Sequence, residues 1–157
     1  MLVTINTDAS FDVETGLGAW AFWAVCNEFK ITRSGAFEDL CRSSTDAEVK
    51  CIIIALAVSL RYAGISKVII NTDSLNAAAI LKGDEAHLKK YMKCSLRHWK
   101  VVRNAYREVI QERTSKQVVL IEFRHVKAHS GVLDKRSYAN EWCNMNARNQ
   151  LKLLKSK

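Results

Sequence analysis

The elements legible in this sequence predict a single α/β domain built on a mixed sheet. Three observations carry that prediction. Residues 1–37 read as three short strands joined by polar turns, which is an antiparallel meander. From Thr45 onward, helical segments alternate with two further strands. One of those strands is a continuous apolar run, Val68-Ile69-Ile70, as expected of a parallel strand covered on both faces. A chain of 157 residues suits one core and leaves little room for a second domain.

The first strand, Leu2 to Ser10, is an alternating run rich in β-branched residues, with Asp8 near its exit. A polar turn from Phe11 to Gly16 leads into the second strand, Gly18 to Cys26, and Asn27-Glu28 turns into the third, Phe29 to Phe37. Thr45-Asp46-Ala47-Glu48 has the hydroxyl-to-glutamate spacing of a capping box. It opens a helix running to Ala63 that is apolar almost all round and therefore expected to be central, with Gly64 at its C′ position. Lys67 to Thr72 is the fourth strand, Asp73 follows it, and Ser74 caps a helix over Leu75 to Leu81. His87 to Arg113 has a helical pattern, Val118 to His125 is a fifth strand, and Tyr138 to Leu154 is the last helix.

Composition narrows the function classes. The net charge of +8 favours a polyanionic partner. Five cysteines without a C-x-x-C pair argue against a disulfide framework and a zinc site, so reduced thiols and a cytoplasmic location are expected. No signal segment is expected ahead of the first strand, and no apolar run in the sequence is long enough to span a membrane.

Three acids stand out by position. Asp8 ends the first strand, Asp73 ends the fourth, and Glu48 lies in the first turn of the central helix. Each alone has a plain structural reading, as a turn residue or a capping glutamate. Together they differ: if the first and fourth strands are parallel neighbours, Asp8 and Asp73 emerge at one edge and Glu48 approaches from the helix. Three converging carboxylates repel unless cations hold them, and hard oxygen ligands suit Mg²⁺, with Mn²⁺ as a substitute.

The set of motifs resembles a type 1 ribonuclease H nearly end to end. It comprises Thr7-Asp8-Ala9-Ser10, Thr45-Asp46-Ala47-Glu48, Thr72-Asp73-Ser74, His125-Val126-Lys127-Ala128-His129-Ser130-Gly131 and Asn140-Glu141-Trp142-Cys143-Asn144. The resemblance implies a ribonuclease H-like fold with a five-stranded mixed sheet in the order 3-2-1-4-5, flanked by helices. It implies hydrolysis of the RNA strand of an RNA–DNA hybrid with two divalent ions. One ion lowers the pKa of the attacking water and the other stabilises the leaving 3′ oxygen. By the resemblance Asp8 bridges both ions, Glu48 and Asp73 serve the leaving-group ion, and His129 assists proton transfer or product release. His125, on a strand, reads as structural.

The sequence departs from the family at one position of consequence. The fourth acid of the family falls at Asn144, a near-isostere of aspartate without its charge. By the resemblance this weakens the water-activating ion and attenuates turnover. Asn144 is either a natural variation or an Asp→Asn replacement that keeps shape while stopping turnover.

Residues 82–107 resemble the basic substrate-binding handle of the family. Lys82, Lys89, Lys90, Lys93, Arg97, Lys100, Arg103 and Arg107 stand there against Asp84 and Glu85, so +6 of the chain's +8 is in this segment. Lys89, Lys90, Lys93 and Trp99 are expected to touch the DNA strand, with Trp99 alternatively a core anchor. Ser10, Ser44 and Thr45 are candidates for contacts to 2′-hydroxyls. The chain is expected to act as a monomer. Two other readings stay open: a catalytically silent nucleic-acid-binding module, and a junction resolvase-like nuclease of the same fold.

Overall fold

A computed structural model describes residues 1–91, 96–114, 118–126 and 135–157, with the backbone alone at 91, 96, 97, 135 and 136. Five strands, β1 (Leu2–Phe11), β2 (Gly18–Val25), β3 (Lys30–Ala36), β4 (Lys67–Thr72) and β5 (Leu120–His125), form one sheet in the order 3-2-1-4-5. β1–β2 and β2–β3 are antiparallel, whereas β1–β4 and β4–β5 are parallel. This is the predicted mixed sheet.

Helix α1 (Ser44–Ser59) packs on β1 and β2 and against α2 (Leu75–Lys82) and α4 (Leu96–Thr114), and α5 (Lys135–Lys155) packs against β1, β2 and β3. The main core lies between α1 and the sheet: Val3, Ile5, Phe22, Ile52, Leu56, Val68 and Ile70 are completely buried. The near-absence of a polar face on α1 is explained by this covering. β4 is buried from Val68 to Thr72, as its apolar run predicted.

Several boundaries differ from the sequence reading, each for a local physical reason. The N-cap of α1 is Ser43, whose hydroxyl accepts from the Asp46 amide at 3.1 Å. Asp46 returns the favour by accepting from the Arg42 amide at 2.9 Å. The hydroxyl and acid that close the start of α1 are therefore Ser43 and Asp46, the acid bonding the amide before the cap, and not Thr45 and Glu48, which puts Glu48 in the second turn and frees its carboxylate. At the other end α1 stops at Ser59 with Leu60 as C-cap; Gly64 has φ 80° in the following turn, where its carbonyl accepts from the N-terminal ammonium at 2.9 Å. The predicted helical stretch from His87 contains two helices, α3 (Glu85–Tyr91) and α4. Gly83 ends α2 in the left-handed region, φ 76°, which a residue with a Cβ adopts at a cost.

Among the described residues Cys26, Cys41, Cys51 and Cys143 are free thiols. No helix among them is long and apolar enough to cross a membrane.

Candidate metal centre

The site begins as a fork in the sheet. The parallel β1–β4 ladder ends at the pair Asn6↔Asn71. Beyond it β1 continues to Phe11 on β2, with Asp8 opposite Ala21, while β4 stops at Thr72. Asp8 therefore lies within its strand rather than at its end. It stands two residues past the last parallel pair, and so does Asp73. The period of two keeps Asp8 in line with that pair, and Asp73 follows directly on the end of β4. Such a crevice at the carboxyl ends of strands is where open α/β sheets place ligands.

Glu48 reaches the same point from α1. Carboxylate oxygens of Asp8, Glu48 and Asp73 all lie within 4.8 Å of one another. Asp8 is 5% and Glu48 9% exposed, and Asp73 is half-buried. The Ala9 amide donates to Asp8 Oδ1 at 2.9 Å and to Glu48 Oε1 at 3.2 Å, which pins the two side chains together. Glu48 Oε2 is buried without a hydrogen-bond partner.

Burial raises the Asp8 carboxyl to about 6, with the charge of Asp73 adding to the effect. Glu48 is pushed well above the usual carboxylate range by burial, then by Asp8 and Asp73. Asp8 and Glu48 crowd where water solvates them poorly, so both take up protons more readily than free carboxylates, and a cation bound there would compete with those protons. An orphaned buried oxygen and three hard ligands in this span fit a divalent ion such as Mg²⁺ or Mn²⁺.

Two thiols brace the strand behind the acids. Cys51 of α1 donates to the carbonyls of Asp8 (3.3 Å) and Ala21 (3.4 Å), and Cys143 of α5 donates to the carbonyl of Asn6 at 3.4 Å. Burial pushes both thiols up, so they are inert.

The acids open into a cavity of about 270 Å³ whose far wall is α5, through Asn140, Glu141, Asn144 and Arg148. Asn144 thus lines the same cavity as the three acids, and so does Ser10. Sequence reading missed Arg148. The available signal was its spacing of four from Asn144, which puts both on one face of a helix.

The other predicted residues divide. Ser44 is exposed and Thr45 half-buried at the start of α1, outside the residues that line the cavity. Lys89 and Lys90 are exposed on α3. Trp99 is 5% exposed and belongs to the core, so of its two expected roles it occupies the core anchor and not a surface against DNA. Arg103 is partly committed as well: its Nε donates to the Ile80 carbonyl at 2.9 Å, closing the end of α2. Lys93 and His129 lie outside the described residues.

The fully buried Asp46 joins α4 to the start of α1. Its Oδ2 meets Lys50 Nζ at 3.3 Å, and its Oδ1 lies 3.5 Å from His98 Nε2. This approach brings the first turn of the basic helix α4 beside the start of α1, two residues from Glu48.

The sequence matches the RNase H family model over residues 2–152. No curated protein sequence matches the chain. Among solved structures it is similar to RNase H1 from the halophilic archaeon Halobacterium salinarum, at 17% identity, covering 97% of this chain and 98% of that one, with a TM-score of 0.65. It is also similar to the RNase H domain of prototype foamy virus, at 14% identity over 97% of this chain and 94% of that one, with a TM-score of 0.64. A third is LC11-RNase H1 in complex with an RNA/DNA hybrid, at 15% identity, covering 95% and 99%, with a TM-score of 0.63.

Proposed function

The chain belongs to the RNase H family, and from that premise we propose that it hydrolyses the RNA strand of RNA–DNA hybrids by metal-dependent endonucleolytic cleavage. The observation that carries the reading is the convergence of Asp8, Glu48 and Asp73 from three separate elements at the sheet fork. The complex of LC11-RNase H1 with an RNA/DNA hybrid supports the substrate class.

Asp8, Glu48 and Asp73 would hold the ion, with Asp8 shared between two ions in a two-metal arrangement and Asn144 facing the outer one. Divalent cations held there supply Lewis acidity at the scissile phosphate and acidify the attacking water. The protein's own residues do the rest. Burial keeps the acids in a low-dielectric pocket, which strengthens their hold on a cation. The Ala9 amide fixes the relative orientation of Asp8 and Glu48. Asn144 can offer a carbonyl oxygen but no charge, so the water-activating side is weakened and turnover attenuated. His129 serves proton transfer or product release. Ser10, Ser44 and Thr45 contact 2′-hydroxyls across the minor groove. Residues 82–107 form a handle in which Lys89, Lys90 and Lys93 contact phosphates of the DNA strand.

A second reading is favoured by Asn144 alone: the chain binds nucleic acid without cutting it. The test offers labelled hybrid, duplex DNA, duplex RNA and a four-way junction to the protein in Mg²⁺ or Mn²⁺. The proposal expects cleavage of the RNA strand of the hybrid alone. Binding without cleavage selects the silent module, and junction cutting selects a resolvase-like nuclease.

A further inference from the structure

We propose that the chain carries a second ligand site, a pocket for an adenine nucleotide on the face of the sheet away from α1. This site is separate from the acidic cavity and requires neither metal nor cleavage.

A cavity of about 520 Å³ opens between the sheet and the start of α5. That is within the size range of pockets for small organic ligands. Thr4 and Asn6 of β1, Trp23 of β2, Lys30 of β3, Asn71 of β4 and Tyr138 of α5 are among the residues that line it. It shares no lining residue with the acidic cavity. The alternation of β1 sets its two faces: Val3 and Ile5 enter the core against α1, so Thr4 and Asn6 take the other side.

The polar groups at this cavity set it apart. Asn6 and Asn71 are partners in the parallel β1–β4 ladder, and they are 3% and 1% exposed. Asn6 Oδ1, Asn71 Oδ1 and Asn71 Nδ2 are buried without hydrogen-bond partners. Buried amides are normally satisfied, and an apolar pair at these positions would carry no such penalty. Two acceptors and one amide donor are thus left unused beside a cavity whose other walls include Trp23, Val25 and Tyr138.

Adenine fits this inventory. Its exocyclic amine brings two N–H donors for the two acceptors, and the neighbouring ring nitrogen accepts from the donor. Guanine presents acceptors at both of the corresponding positions and leaves the asparagine oxygens unmatched. The ring's flat faces suit aromatic walls. Trp23 is held edge-on by Tyr138 at 5.6 Å and by Trp142 at 5.7 Å between ring centroids. Lys30 is the one charged residue lining the cavity; it is exposed, with Nζ 4.0 Å from the Trp23 ring centroid. A nucleoside monophosphate therefore uses both ends, its base at the asparagine pair and its phosphate at Lys30.

The experiment titrates adenosine monophosphate calorimetrically into the intact chain, with a chelator present so that no divalent ion contributes. Saturable binding at one site is expected. Guanosine monophosphate should bind roughly tenfold more weakly or worse. Adenosine should bind more weakly than its monophosphate, and inorganic phosphate should not saturate. Asn71→Leu should weaken binding of adenosine monophosphate at least tenfold while leaving the fold at least as stable, since it removes two partnerless polar atoms. Thr4→Trp fills the cavity from its side and should abolish binding without touching the asparagine pair. Lys30→Ala should reduce the monophosphate to the affinity of adenosine and leave adenosine unchanged. Failure to saturate by about 1 mM adenosine monophosphate would overturn the proposal and leave the cavity to water. Equal binding of adenosine, guanosine and uridine monophosphates would overturn it in favour of a non-specific basic surface. Full affinity in a folded Asn71→Leu or Thr4→Trp chain would also overturn it, by placing the nucleotide elsewhere.

Discussion

The acidic cavity and the basic segment from Lys82 to Arg107 carry opposite charge, and the fold treats that charge in opposite ways. The acids are taken out of water. Asp8 and Glu48 are almost completely buried, share one amide donor, and take up protons more readily than free carboxylates because their charges are poorly solvated. The basic residues mostly stay in water, as Lys82, Lys89, Lys90, Lys100 and Arg107 do. Charge buried without a protein counter-charge costs stability and so points to a ligand, whereas an exposed lysine costs almost nothing and says little by itself. The cavity is thus strong grounds for a specific ion, and the handle for sequence-independent attraction.

That contrast can be broken by substitution. The largest expected effect is at Asp8. Asp8→Asn should lower metal-dependent hybrid cleavage by roughly a thousandfold or more, measured in single-turnover assays. It should at the same time leave the metal-free protein at least as stable near pH 7, since a poorly solvated charge has been removed. Cleavage retained within tenfold would place the chemistry elsewhere.

Within the basic segment the largest effect should fall on a residue that is not basic. Trp99→Ala should destabilise the fold by about 3–5 kcal/mol in denaturant titrations, because it empties a core position. Stability within 1 kcal/mol of the original, accompanied by weaker hybrid binding, would return Trp99 to the substrate surface.

The pH dependence separates the two regions next. The Asp8 carboxyl is raised from 3.8 to about 6, so its folded form binds a proton more tightly than its unfolded form. Its stabilising contribution is full below pH 3.8 and is lost as pH rises through about 6. The loss is of order 3 kcal/mol. The stability gap between the original and Asp8→Asn should therefore shift in favour of Asp8→Asn between pH 4 and 7. Saturating Mn²⁺ should restore the original but not the variant. A pH-independent gap would show that the carboxylates are not strained in the free protein.

The smallest effects should come from exposed lysines. Lys89→Ala and Lys90→Ala should each reduce the salt slope of hybrid binding by about one, with stability changing by less than about 0.5 kcal/mol. An effect on stability larger than on binding would make them structural.

The same division governs what could be read from the sequence. The strands and the three acids were legible because β-branched runs mark strands and the acids fall near where elements end or begin, whereas the sheet order followed from the family resemblance and not from the residue pattern. The capping box was misassigned by two residues, since Ser43, Ser44 and Thr45 all offer hydroxyls and only the backbone decides which one caps. Trp99 and Arg103 were hard to place because aromatic or basic character does not say which face of a helix is covered. Arg148 escaped notice for a related reason: a charged residue on a terminal helix looks solvated until the sheet fork is set against it.

The central claim is that a hybrid-cleaving metal site is complete here except for the charge at Asn144. It is tested most directly by comparing the original chain with Asn144→Asp on a labelled RNA–DNA hybrid in Mg²⁺, under single-turnover conditions. The restored carboxylate should raise the rate of RNA-strand cleavage roughly tenfold or more, by strengthening the water-activating side. Equal rates in the two chains would contradict the placement of Asn144 in the catalytic site.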